Sequence, residues 1–165
     1  MIRLLVCDVD GTLTDGSIIY DSAGVESKNF SSKDGLILRV MPRLGVSVLL
    51  LTGRSSETTQ RRASELGCAL IEHARDKYAV LRNYMDENGF DFESTAYIGD
   101  DLNDYAAMKA CGFKACPADA AREIRDISDY IPPCNGGCGA VRVICEEILM
   151  RDGKYGAFLS LWQRK

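Results

Sequence analysis

The 165-residue chain has one histidine, His73, and one tryptophan, and no apolar stretch approaches the ~20 residues of a membrane-spanning helix. No active-site Ser–His pair is visible and no partner stands at ligand spacing from the single histidine, so His73 reads as an ordinary loop or surface residue. Basic charge is also in short supply: 20 Lys and Arg against 24 Asp and Glu give a net charge of −4. No cluster of cations approaches what a phosphate-backbone binder needs, so a nucleic-acid partner is not expected. The opening "MIRLLVCDVD" turns acidic after a short apolar run, unlike a secretory signal, and neither internal repeats nor low-complexity linkers stand out. The expectation is a cytoplasmic protein with no membrane partner. Cysteine is present but odd in number, seven in all, and scattered through apolar or small-residue contexts. That pattern suits free thiols in a reducing compartment better than a disulfide framework, and Cys134 with Cys138 lacks the second pair of a metal clip.

What the chain does have is 46% hydrophobic and 27% charged residues, enough for one domain over 1–165 with a sizeable core and too little for a second. Short apolar runs at 4–9, 46–52, 68–71 and 95–100, with a weaker one at 113–117, read as buried parallel strands. Helical patterns at 34–44, 56–66, 76–88, 101–110, 120–127 and 140–150 separate or follow them, and alternation of this kind implies a doubly wound α/β sheet. Pro42 is expected to distort or shorten the first helix. One segment breaks the alternation: in "GSIIYDSAGVESKNF", residues 16–30, two β-rich pieces flank "DSAG", which predicts a hairpin standing off the sheet.

In such a sheet the loops after the strands gather at one edge, and ligands bind where the winding reverses. Asp8 and Asp10 follow the first strand, Thr52 the second, and Asp100, Asp101 and Asp104 the fourth. Carboxylates packed this closely repel unless a cation sits among them, which points to a hard divalent ion, Mg²⁺, and to a phosphorylated substrate as its companion. A carboxylate is then the best available nucleophile. Asp8 would attack phosphorus to give an acyl-phosphate, and Asp10, two positions on, would protonate the leaving group and later deprotonate water. Gly11 would let backbone N–H groups approach the phosphate, while Thr52 and Lys77 would supply a hydroxyl and a compact positive charge.

"DVDGTLTDG", "LLLTGR", Lys77 and "YIGDDLNDYAAM" resemble, in order, the four motifs of the haloacid dehalogenase superfamily of phosphatases. The resemblance implies a Rossmann-like fold with Asp8 as nucleophile and Asp10 as acid/base. It implies metal ligation by Asp8, Asp10 (through its backbone carbonyl) and Asp100, phosphoryl binding by Thr52 and Lys77, and support from Asp101 and Asp104. No large cap insertion follows the first or second motif, and "NGGCGAVRVICEEIL" is similar to the glycine-rich signature of the 3-deoxy-D-manno-octulosonate 8-phosphate phosphatases. That family resemblance implies a homotetramer built on the hairpins, with active sites shared between subunits. It also implies a phosphorylated 2-keto sugar acid as substrate, met by Ser31, Ser32, Lys33, Asp34, Gly35, Arg39, Arg54 and Arg62. Arginine forks suit the carboxylate of such a substrate. Cys138 and Val143 stand where the family commonly has arginine and glutamate.

Other readings remain open at this level. Phosphatases for nine-carbon keto acids share the motifs but differ at "TGR", where an acidic residue can replace the arginine. A receiver domain gathers similar residues, though with adjacent acids on its first strand. Similar domains also serve as non-catalytic oligomerisation modules of sugar-nucleotide synthetases, which have no need of Asp8, Asp10, Lys77 and Asp100 together. Arg62, beside Glu65, otherwise looks like part of a solvated helix face, and Lys33 could simply precede an Asp34 N-cap. The apolar tail "KYGAFLSLWQRK" is expected to dock on something, such as a neighbouring subunit.

Overall fold

A computed structural model describes residues 1–163. Strands β1 (Leu4–Cys7), β4 (Ser47–Leu51), β5 (Ala69–Ile71), β6 (Thr95–Ile98) and β7 (Phe113–Ala115) form a five-stranded sheet in the order β5-β4-β1-β6-β7. All its pairings are parallel, with Leu5 registered on Val48 and Ala96. Successive side chains of a strand face opposite sides, so Leu5, Cys7, Val48, Leu50 and Ile98 enter one core while Leu4, Val6, Leu49, Leu51 and Tyr97 enter the other. Both faces are covered, which explains why these strands read as unbroken apolar runs rather than alternating ones.

Helices α1 (Ser32–Val40), α2 (Glu57–Leu66), α6 (Ala140–Arg151) and α7 (Tyr155–Ser160) cover the first face through Ile37, Ala63, Ile144 and Phe158. Helices α3 (Lys77–Asn88), α4 (Tyr105–Ala110) and α5 (Arg122–Ile127) cover the second through Leu81, Met108 and Ile124. The doubly wound α/β fold is therefore present, with its winding reversal at β1, between β4 and β6.

Several boundaries move. The first strand stops at Cys7 rather than at residue 9, because the Val9 carbonyl accepts the N–H groups of Thr12, Leu13 and Thr14 and curls the chain. The first helix starts at Ser32, capped by the Ser31 hydroxyl accepting from Asp34 N–H, so Asp34 is not its N-cap. Pro42 ends it at Val40, and a 3-10 turn occupies Met41–Leu44. The helix expected at 101–110 opens as a 3-10 turn at Leu102–Asp104. The tail forms α7, and Phe158 docks in this chain's own core; residues 164–165 lie outside the described residues. The hairpin pairs β2 (Ile19–Tyr20) with β3 (Glu26–Ser27), and its turn is fixed by the Asp21 carboxylate accepting from Ala23 and Val25 N–H. Among the described residues no helix is long and apolar enough to cross a membrane.

Candidate active site

The turn after β1 carries Asp8 into the reversal point, 4% exposed. Lys77 is the first residue of α3, which packs against α4 and the 3-10 turn at Leu102–Asp104. Its N-cap Asp76 accepts from Ala79 N–H, and its fully buried ammonium donates to Asp104 Oδ1 at 2.6 Å and meets Asp8 Oδ1 at 2.8 Å. Asp104 also accepts from the Tyr97 hydroxyl (2.8 Å) and the backbone N–H groups of Asp100 (3.1 Å) and Asp101 (3.4 Å). Two carboxylate oxygens serving four donors have little capacity left, so Asp104 acts as a brace that holds Lys77 against Asp8.

Asp100 accepts from the Thr12 hydroxyl at 2.9 Å. Gly11 lies over it with φ +89°, where a Cβ would fall 2.1 Å from Asp100 Oδ2, so only glycine lets the first turn approach this carboxylate. Gly136, in the glycine-rich stretch before α6, packs on the same turn, and a Cβ there would sit 1.9 Å from the Gly11 carbonyl oxygen. The Gly137 N–H completes the contact by donating to the Thr12 carbonyl. The "NGGCG" signature is thus a buttress behind the first turn, and Cys138 is exposed beside it.

Oxygens of Asp8, Asp100 and Asp104 lie within 4.8 Å of one another. Burial, with the charge of Asp104, pushes the Asp8 carboxyl well above its usual range despite Lys77. Burial raises Asp100 to about 6 against the hydrogen bond from Thr12, with the Asp104 charge adding to the rise. Burial opposes the charge on Lys77, but Asp8 and Asp104 outweigh it and hold the ammonium above its ordinary value. Negative charge exceeds positive here, and Asp8 and Asp100 retain free acceptor oxygens, which is the donor set a hard divalent cation requires.

These residues open into a cleft of about 370 Å³ lined by Asp8, Asp10, Thr52, Arg54, Asp100 and Asp101. Thr52 is buried at the end of β4, its hydroxyl accepting from Arg54 N–H at 3.2 Å. Asp10 is bound through Oδ1 to the Lys28 ammonium, and its Oδ2 lies 3.8 Å from Arg54 Nε. Arg54 in turn donates to the Tyr20 hydroxyl (3.0 Å) and to Glu26 (3.1 Å). Sequence reasoning missed Tyr20, Glu26, Lys28 and Tyr97. Glu26 and Lys28 share a face at strand spacing, which is the signal that could have found the hairpin pair. Tyr97 sits on an apolar strand and looks like core.

The remaining sequence-predicted substrate residues lie elsewhere in the chain. Ser31 caps α1, and Lys33 is exposed to solvent. Asp34 is buried and accepts from Arg142 N–H at 2.7 Å, standing in for the side-chain cap that Gly139 cannot give α6. Gly35 leaves room for the Arg62 guanidinium, which a Cβ would meet at 2.1 Å. Ser32, Gly35, Arg39 and Arg62 line a second groove of about 830 Å³, walled by Phe30 and Trp162, that shares no residue with the cleft. Arg62 stacks over Phe30 at 5.6 Å. Of the arginines expected at the substrate, only Arg54 faces the carboxylates within one chain. His73 is exposed in the loop before α3.

Fold and site together define a haloacid dehalogenase-like hydrolase, and the family model of that description matches residues 68–144. The 3-deoxy-D-manno-octulosonate 8-phosphate phosphatase of Haemophilus influenzae is 36% identical over 95% of this chain and 88% of its own length; that of Yersinia pestis is 36% identical over 93% and 82%. A crystal structure of the Moraxella catarrhalis enzyme with magnesium ion, phosphate ion and KDO has a TM-score of 0.94 at 41% identity, covering 98% of this chain and 94% of that one. The chain belongs to the 3-deoxy-D-manno-octulosonate 8-phosphate phosphatase family.

Proposed function

We propose that the chain hydrolyses 3-deoxy-D-manno-octulosonate 8-phosphate to the free sugar acid and phosphate, with Mg²⁺. The observation that carries this reading is Asp8, tied at one oxygen by Lys77 and open to a cleft that also holds Asp100, Thr52 and Arg54. Asp8 and Asp100, with the main-chain carbonyl of Asp10, would hold the ion. When bound, magnesium neutralises charge among the carboxylates and the phosphoryl oxygens.

An Asp8 oxygen attacks phosphorus, forming the Asp8–phosphate bond while the bond to the sugar oxygen breaks, and Asp10 gives its proton to that oxygen. Lys77 and the Thr52 hydroxyl steady the negative phosphoryl oxygens. Asp10, now a carboxylate, takes a proton from water as that water attacks phosphorus, which releases phosphate and restores Asp8. The Arg54 guanidinium, at the mouth of the cleft, suits the carboxylate of the keto acid.

The same reading makes the protein a cytoplasmic homotetramer in which exposed Ile18, Ile19 and Val25 of the hairpin join subunits. The groove of Arg39 and Arg62 then faces a neighbour's cleft, and all seven cysteines remain free thiols. Phosphate release with Mg²⁺, compared by kcat/KM across the eight-carbon acid 8-phosphate, nine-carbon keto acid 9-phosphates and hexose phosphates, tests this reading. A clear preference for the eight-carbon acid is expected. Preference for a nine-carbon acid would reassign the substrate, and no turnover of any would leave an oligomerisation module.

A further inference from the structure

We propose that Lys28, on the hairpin, is a positioning residue for Asp10 and fixes the carboxyl that protonates the leaving group. The inference rests on the phosphatase reading above. A lysine on a two-stranded hairpin with exposed neighbours Ser27 and Asn29 would ordinarily extend into water, yet the Lys28 side chain is 2% exposed. A buried ammonium is costly unless paired. Its partners are Asp10 Oδ1 and, at 3.4 Å, Glu26 Oε1, and both carboxylates also face Arg54.

The four side chains form a ring: Asp10, Lys28, Glu26, Arg54. Within it the ammonium ties one Asp10 oxygen and leaves the other, Oδ2, on the side of Arg54 and the cleft. Asp10 sits on the turn after β1, where the Lys28 ammonium holds Oδ1 directly while Arg54 Nε stands 3.8 Å from Oδ2, so the hairpin cation is the closer restraint on its rotamer. Among the described residues Lys28 makes no hydrogen bond or ion pair with a cleft residue other than Asp10; it acts through Asp10. In the step concerned, an Asp8 oxygen bonds to phosphorus, the phosphorus bond to the sugar oxygen breaks, and the Asp10 proton goes to that oxygen. A leaving group that is stable as an anion needs no such proton.

The test is the first-turnover release of the leaving group, by rapid quench with Mg²⁺, for the wild-type enzyme, Lys28→Met and Lys28→Arg. The two substrates are the sugar acid 8-phosphate, whose alkoxide must be protonated, and 4-nitrophenyl phosphate, whose phenolate need not be. Lys28→Met should slow release from the sugar substrate by about 10- to 100-fold, a share of what a placed general acid supplies. Release of 4-nitrophenol should change by less than about threefold, KM for both substrates should hold, and Lys28→Arg should recover part of the loss. Equal slowing of both substrates would make Lys28 merely structural, and a loss confined to KM would make it a substrate contact; either overturns the proposal. Failure of the wild-type enzyme to turn over any ester would overturn the phosphatase reading and this inference with it.

Discussion

The acidic cleft and the arginine groove handle charge in opposite ways. In the cleft a buried cation is paired within one chain: Lys77 spans Asp8 and Asp104, and Asp104 serves four donors. In the groove, Arg39 and Arg43 make no ion pair among the described residues, and Arg62 stacks on Phe30 and pairs with exposed Glu65 at 3.4 Å. The cleft is the smaller, about 370 Å³, and the groove is about 830 Å³. The difference teaches that the proposed phosphoryl-transfer residues are organised by contacts within this chain, whereas Arg39 and Arg43 of the groove have no carboxylate partner among the described residues.

The comparison breaks most decisively at Asp8. Asp8→Asn keeps the shape but cannot attack phosphorus, so steady-state turnover should fall by about a thousandfold or more. Wild-type-like phosphate release by this variant would empty the cleft of its assigned role. Lys77→Met comes next. It leaves Asp8 and Asp104 buried without a counter-charge, so turnover should drop by about 100- to 1,000-fold and stability by about 3–5 kcal/mol in urea unfolding of the metal-free protein. A variant as stable as the parent would show that the buried ion pairs are not what organises the site.

The groove is sharpened by mixing. If it completes a neighbour's site, Asp8→Asn and Arg62→Ala are each poorly active alone, but refolding them together should regain about a quarter of wild-type activity, because hybrid contacts reunite an intact cleft with an intact groove. No gain on mixing would confine the groove to its own chain. Arg54 lines the cleft itself: Arg54→Ala should lower kcat/KM for the keto acid by about 10- to 100-fold and for hexose phosphates by less than about threefold, since only the former offers a carboxylate.

The smallest effect is on stability against pH. Asp100 titrates near 6 in the folded chain, and Asp8 is also raised, so between the usual aspartate range and about pH 6 the folded state holds more protons than the unfolded one. Stability of the metal-free protein should therefore fall as pH rises through that window. Mg²⁺ binds the carboxylate forms and reverses the penalty, so it should raise Tm by several degrees more at pH 7 than at pH 5. Equal shifts in a thermal melt at both values would remove the excess carboxylates from the account.

Much of the cleft was legible because its residues sit at strand ends. Asp8, Thr52 and Asp100 each follow an apolar run, and parallel winding alone sends such positions to one edge. Pro42 likewise announced the end of α1. Asp34 carried no local warning of its role: its partner Arg142 lies 108 residues away, and the need it answers arises only because α6 begins at a glycine. Tyr97 was invisible for a related reason, since its ring belongs to the core and only its hydroxyl belongs to the site. The 3-10 turn at Leu102–Asp104 also escaped the helical pattern, because Asp104 is drawn inward by Lys77 and the N–H groups of Asp100 and Asp101.

The most direct test of the central claim is to trap the covalent intermediate. Wild-type enzyme quenched during turnover of the sugar acid 8-phosphate and reduced with borohydride should carry homoserine in place of aspartate at position 8, read by peptide mass spectrometry. Homoserine at Asp8 and at no other aspartate is the expected result. Its absence at Asp8 under rapid turnover, or its appearance at another aspartate instead, would contradict the assignment of the nucleophile.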